Sequence, residues 1–407
     1  MSKVAVHPPR PKGPRERLLL AVSALALGAL IAFAWPRPDP KTVWERARKA
    51  FEARDFAGAQ GELDRLSKLR APTPLDWLLR AQVAMGQSRN EEAIENLARV
   101  PDDHPMAPQA QLQLGQLELR RNRFVPAEAA FLKALALDPK LIQARRELVY
   151  IYGTQLRRPE LNATFKALSE VSALSFPEVF LWCLSRGVTW EPQEIAATLA
   201  RCIEADPADR WGRLGRSDGL RDLSQLDEAE AVLTPLPETD PDARAARVRI
   251  ALDRGDPSAA EALLDAGPAD HLGLALLRGR LALARNDAPG AVRQFRIAHD
   301  KAPNIREAIL GLGQALQMAG DSAAATPLLE EARKHELLGS LVQRAAVEAN
   351  RTDPALIRDL GEACAAVGRI PEARAWYNLA ISQDPLDTRA QQGLARLQDP
   401  AEPSSPR

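Results

Sequence analysis

Between Gln111 and Pro139 the chain reads QLQLGQLELRRNRFVPAEAAFLKALALDP, an alternation of apolar and polar positions with helical spacing. The pattern predicts two short amphipathic helices joined by a tight polar turn. Leu114 and Gly115 fall in the first helix, Phe124 in the turn, and Ala127, Phe131 and Ala134 in the second, which Asp138-Pro139 ends. Two helices of roughly 12 residues cannot bury an apolar face alone in water. The segment requires copies of itself, and the chain supplies them.

The helix-stopping prolines Pro105, Pro139, Pro207 and Pro241 are separated by 34, 68 and 34 residues. A small residue in each second helix keeps the same beat: Ala59, Ala93, Ala127, Ala229, Ala260, Ala291, Ala325 and Ala373. Leu161 and Ile195 stand at the two missing beats. The third copy, Gln111–Pro139, is the cleanest. The fourth has RRPELN in place of a small turn, and the fifth places Trp182-Cys183 where Leu-Gly is expected and Cys202 in another small-residue position. The sixth opens on Trp211-Gly212-Arg213-Leu214-Gly215 and carries a turn read as two residues longer than the rest. Copies seven and eight shorten to 31 residues, and Ala325 to Ala373 widens to 48. That excess, over 335–351, is apolar at Leu337, Leu341, Ala345 and Val347, which predicts an extended or additional helix.

A 34-residue helix-turn-helix with W-x2-L-G followed by A, F, A and P resembles the tetratricopeptide repeat (TPR). The resemblance covers nearly everything after Pro40. It implies an all-α fold, a right-handed α-solenoid of about ten repeats over 41–385. The helix over 386–398, apolar at Ala390, Leu394 and Leu397 on one face only, is expected to cap the stack, with 399–407 as a tail.

The N-terminus adds a different element. Residues 1–17 form a basic tail, and residues 18–35, LLLAVSALALGALIAFAW, carry no charge. A helix of that length matches a bilayer's hydrocarbon core. Trp35 suits the interface, and the Pro-rich 36–40 stops the helix. A single N-terminal transmembrane helix is expected, with the N-terminus cytoplasmic and the solenoid outside. Ala32-Phe33-Ala34 leaves open a cleaved signal and a secreted product. The Arg- and Ala-rich composition suggests a bacterial inner membrane and periplasm.

Charge and chemistry restrict function by elimination. The 407 residues carry a formal net charge of zero, so no basic field argues for nucleic acid. Three cysteines form no CxxC pair, and five histidines form no ligand cluster. Gly311-Leu312-Gly313 lies in a helix rather than after a strand, and His335-Glu336 lacks the second histidine of a zinc-protease helix. No catalytic set, metal or small-molecule cofactor is expected. Cys183 and Cys202 occupy facing positions of one predicted hairpin. A disulfide is open to them if their Cα atoms lie within about 7 Å; the alternative is two small buried hydrophobes.

The resemblance places ligands on the concave face lined by first helices. Aligning the repeats puts Gln82, Gln116, Tyr150, Leu184, Arg216, Arg249, Arg280 and Gln314 at equivalent inner positions. Arg216, Arg249 and Arg280 would then form a ladder suited to carboxylates, with Asp218, Asp242 or Asp253 as candidate internal partners. The expected partner is a protein or peptide, acidic or presenting its C-terminal tail. The expected function is a non-catalytic, membrane-anchored interaction scaffold. The alternative is a regulatory or assembly subunit of an envelope enzyme or secretion complex.

Overall fold

The computed structural model describes residues 38–185 and 191–398. They form 21 α-helices and one 3-10 turn, with no strand among the described residues. The expected membrane span, 18–35, and the tail 399–407 lie outside them. Among the described residues no helix is long and apolar enough to cross a membrane. The chain divides into two compact units after Val100.

In the first unit the helices Pro40–Glu52, Phe56–Leu69, Pro74–Gly86 and Asn90–Ala98 make two hairpins. Ala47, Ala59, Leu63, Leu79 and Val83 form their shared core. Side-chain caps define the starts: Asp55 accepts from the Gly58 N–H, and Thr73 and Asp76 make a reciprocal capping box. Arg70 closes on Asp76 with two hydrogen bonds.

The second unit opens with the hairpin Ala107–Arg120 and Phe124–Leu137. Phe124 begins the second helix and is buried, rather than lying in the turn. Gly115 explains how closely the helices approach, because a Cβ there would lie 2.5 Å from the Phe131 ring. Ala127, Phe131 and Ala134 are fully buried around it. Phe295 repeats the device twice over: Cβ atoms on Gly279 and Gly311 would lie 2.8 and 2.3 Å from its ring. Small residues at fixed spacing thus act as sockets for one aromatic ring per crossing.

The hairpin turns are more regular than their composition. The second residue after the first helix is left-handed at Arg54, Ser88, Asn122, Leu156, Ser224, Gly255, Asn286, Gly320 and Gly368. Glycine takes that place in only three of these nine, so composition conceals a constant backbone. Leu156 with φ 55 shows the RRPELN turn to be of the ordinary kind. The sixth turn is ordinary too. Helix Arg210–Asp222 ends and Leu226–Leu233 begins with the same gap as in the third repeat, so the expected two-residue lengthening is absent.

The wide interval before the last repeat is an extension of one helix, Ser322–Ala346, followed by the 3-10 turn Glu348–Asn350. Its buried face is Leu338, Leu341, Val342 and Ala345, whereas Leu337 and Val347 are exposed. The last repeat, Pro354–Ala366 and Ile370–Gln383, is followed by the amphipathic helix Thr388–Gln398.

The fifth copy departs most from expectation. Its two helices, Phe176–Leu184 and Pro192–Ala205, do not pair as a hairpin. The second packs on Arg210–Asp222 and Ile142–Thr154, while the first packs on Ser322–Ala346 and Ile370–Gln383. One apolar core therefore runs from Leu112–Cys202 into Leu338–Ala390. The intervening repeats have smaller cores of their own. Two stretches far apart in sequence are thus tied directly within this unit.

Candidate functional site

Measured from the left-handed turn, the inner row stands six residues earlier in each first helix. Gln82, Gln116, Tyr150, Arg249, Arg280 and Gln314 satisfy this relation to Ser88, Asn122, Leu156, Gly255, Asn286 and Gly320. Gln82 belongs to the first unit and the others to the second. In the sixth repeat the turn residue is Ser224, so the row position is Asp218. Arg216 stands two places earlier, in the position occupied by Arg80, Arg247 and Arg278. All three donate to carbonyls of the preceding repeat's second helix: Arg247 to Leu233 and Arg278 to Leu264, both in the last turn, and Arg80 to Leu63 further back. Cations at a helix C-terminus are favoured by the dipole and by unpaired carbonyls. The expected three-arginine ladder is therefore interrupted by an aspartate.

That aspartate neutralises its neighbour. Arg249 Nη2 lies 3.1 Å from Asp218 Oδ1. Arg221 faces Asp222 at 2.8 Å, Asp253 at 3.6 Å and Asp218 at 3.8 Å. Asp242 lies elsewhere, bound to Arg210 at 2.6 Å and to His271 at 3.1 Å. The hydrogen bond to His271, reinforced by Arg210 against the cost of burial, holds its pKa down to about 2. Arg280 faces Glu307 at 3.6 Å with both side chains largely in water, a pair worth little. Gln116 donates to Glu147 at 3.0 Å, and Gln314 is exposed. The row is polar and nearly balanced in charge.

The concavity that stands out lies around Tyr150. A cavity of about 240 Å³ opens between Ile142–Thr154, Arg158–Val171, Phe176–Leu184 and Pro192–Ala205. Val149, Leu161, Leu181, Leu184 and Ile195 give it an apolar wall. Two row residues, Tyr150 and Leu184, are brought together here. Tyr150 is 49% exposed, with its ring edge-on to Phe124 at 5.9 Å. The cavity exists because the fifth copy's helices have separated, leaving apolar side chains of both facing the fourth repeat.

Arg158, also lining the cavity, was not singled out by sequence reasoning. It is the first residue of a second helix, within the run that read only as an irregular turn. Its Nε donates to the Ser185 carbonyl at 3.0 Å, and no carboxylate lies within ion-pair distance of it among the described residues. The side chain is exposed to solvent but surrounded by protein walls, which lowers its pKa by desolvation. Arg249 and Arg221 lower it further, against the opposing pull of Asp218 and Asp222. A guanidinium short of anions at the mouth of an apolar cavity can take a carboxylate in bidentate fashion. Glu191 and Glu194 line the same cavity and supply its acids.

The cysteines are free and buried. A disulfide between Cys183 and Cys202 is one of two readings that the sequence leaves open, and Cys183 Sγ here lies 3.8 Å from Cys364 Sγ. The register that placed Cys183 and Cys202 on facing helices assumed a hairpin that the fifth copy does not form. Burial pushes the Cys202 thiol up to about 12, with Asp209 adding to the shift. Among the described residues no group of three His, Cys, Asp or Glu side chains is placed to hold a metal.

Comparison with known proteins bears on the repeats. Tetratricopeptide-repeat profiles match residues 78–142 and 276–336, and a second such profile matches 354–397. No curated protein sequence matches the chain. Among solved structures it is similar to a tetratricopeptide repeat protein from Parabacteroides merdae, at 16% identity. That alignment covers 60% of this chain and 98% of the other, with a TM-score of 0.33. It is similar also to the P58(IPK) TPR domain, at 14% identity over 88% and 97% of the two chains, TM-score 0.27. A third likeness is to the APC/C Cut9–Hcn1 hetero-tetramer, at 12% identity over 92% and 99%, TM-score 0.33. The chain carries tetratricopeptide repeats in those stretches, within a solenoid that is all-helical among the described residues.

Proposed function

We propose that this protein is a non-catalytic, membrane-anchored scaffold whose exported solenoid holds a partner protein through an extended peptide. The observation that carries the reading is the Tyr150 cavity with Arg158 at its mouth. An apolar pocket beside a carboxylate-free guanidinium fits a leucine- or phenylalanine-sized side chain next to a carboxylate. An acidic residue or a C-terminal carboxyl group supplies that carboxylate equally well. Specificity then rests on the cavity and Arg158, with Arg280 and the flanking glutamines as secondary contacts. Arg249 is already satisfied by Asp218.

The test is crosslinked pull-down with the full chain from membranes. Compared with wild type, Tyr150→Ala and Arg158→Glu are each expected to reduce recovery of the bound protein about tenfold. Arg216→Ala, a residue outside the row, is expected to leave recovery unchanged. Equal recovery from all four proteins would discard the cavity as the binding site. The anchor rests on the uncharged run 18–35 and its basic flank. N-terminal sequencing of the mature protein is expected to find those residues retained. A chain beginning at Trp35 would make it a secreted protein instead.

A further inference from the structure

We propose that Cys183 and Cys364 form a disulfide that staples helix Phe176–Leu184 to the last repeat. Three observations converge on the pair. The sulfurs are in van der Waals contact at 3.8 Å, from positions 181 residues apart. Both side chains are buried in the core shared by the two stretches. The Trp376 indole N–H points at Cys183 Sγ from 3.1 Å, fixing that sulfur beside its neighbour. Closing to a bonded distance of about 2 Å needs side-chain rotation of the two thiols.

The oxidant is a disulfide-bearing donor, either a dithiol oxidase or oxidised glutathione. The Cys183 thiolate attacks one donor sulfur and expels the other as a thiolate. Cys364, giving up its proton, then attacks the Cys183 sulfur and releases the second donor thiol. Two protein thiols become one disulfide, and the donor's disulfide becomes two thiols. In the reduced pair Cys364 is pushed well above the ordinary thiol range by its contact with Cys183 and by burial. Both sulfurs are sealed in the docked state. Exchange therefore takes place before Phe176–Leu184 docks, and the finished bond is shielded from reductant. The inference is independent of the groove reading, because neither sulfur lines the cavity.

The experiment refolds the purified full chain in oxidised and reduced glutathione. It then combines non-reducing electrophoresis with peptide mapping by mass. Wild type and Cys202→Ser are expected to yield one linked peptide pair containing Cys183 and Cys364, lighter by two hydrogens than the reduced pair. Cys183→Ser and Cys364→Ser are expected to show no linked pair. Closing so long a loop predicts that reduction lowers the wild-type melting temperature by about 5 °C or more, with no change in Cys183→Ser. Peptide mapping of wild type decides the matter even if a serine variant folds poorly. Three free thiols after oxidative refolding, or a Cys183–Cys202 link, would overturn the proposal.

Discussion

Trp376→Ala will destabilise the unit beginning at Pro101 by about 3–5 kcal/mol and undock helix Phe176–Leu184 from it. Trp376 is fully buried and, with Trp182, is among the largest enclosed side chains of the described residues. Its ring meets Phe176 edge-on at 5.5 Å, and its N–H reaches Cys183. Phe176 in turn stacks on Phe180 at 5.8 Å. Truncation removes the ring that joins the two distant stretches and leaves a cavity that neither can collapse to fill alone. The loss is also directional. A hairpin such as Ala107–Arg120 and Phe124–Leu137 has its partner next in sequence, whereas Phe176–Leu184 relies on the distant helices Ser322–Ala346 and Ile370–Gln383 besides its neighbour Arg158–Val171. Denaturant titration will show the lowered stability, and hydrogen exchange will show faster exchange over 176–184. Trp77→Ala, at a partly exposed ring in the other unit, provides the comparison and is expected to cost less. A Trp376→Ala protein with wild-type stability and unchanged exchange would mean that the two stretches are not docked.

The repeats were legible because their determinants are local. A period of 34, an alanine at most second-helix crossings and a glycine opposite an aromatic are all properties of neighbouring residues. The extended helix Ser322–Ala346 was legible for the same reason, although its buried stripe was read one position off at Leu337. The departure of Phe176–Leu184 was not legible, because the partners that replace its hairpin mate, Ser322–Ala346 and Ile370–Gln383, lie far along the chain. A signal did exist in the bulk of Trp182 and Phe180 where a repeat needs small residues. Trp182 stacks on Phe165 at 5.5 Å and donates to Asn162 at 2.9 Å, leaving no close approach for the fifth copy's own second helix.

The binding row failed at one place for a different reason. Trp211 and Gly215 match the W-x2-L-G motif in letters but sit two residues early relative to the turn at Ser224. The motif letters therefore point to Arg216 where the backbone register places Asp218. The physical meaning of Trp211 lies in its contact with Arg157, which no repeat pattern encodes. Arg158 carries no signal of its own in the sequence, because the run Arg157-Arg158-Pro159 breaks the turn consensus. The break in consensus marks two arginines with separate tasks, one lining the cavity and one buried.

That buried arginine carries the second large effect. Arg157→Ala is expected to destabilise the unit by about 2–4 kcal/mol. The guanidinium, 8% exposed, lies 4.5 Å from the Tyr152 ring centre and 4.7 Å from that of Trp211. It reaches Glu128 at 2.7 Å and Glu160 at 3.0 Å. Tyr152 donates to the same Glu128 at 3.0 Å. One side chain therefore joins the third, fourth and sixth repeats across the place where the fifth has opened. The turn is docked there as well: Gln155 donates to Asp209 at 3.2 Å, and Asp209 caps the Gly212 N–H. A Cβ on Gly215 would lie 2.8 Å from the Gln155 carbonyl oxygen. Removing Arg157 leaves Glu128 part-buried without its cation and opens a gap between two aromatic rings. Arg157→Lys keeps the charge but loses the forked contacts and the flat stacking face, so it recovers only part of the loss. The pair Arg157→Ala with Glu128→Ala should cost less than the sum of the singles, because the second change removes the orphaned carboxylate. Urea titration of the four proteins decides it. Strict additivity, or an Arg157→Ala cost below about 0.5 kcal/mol, would show that this bridge does not hold the repeats together.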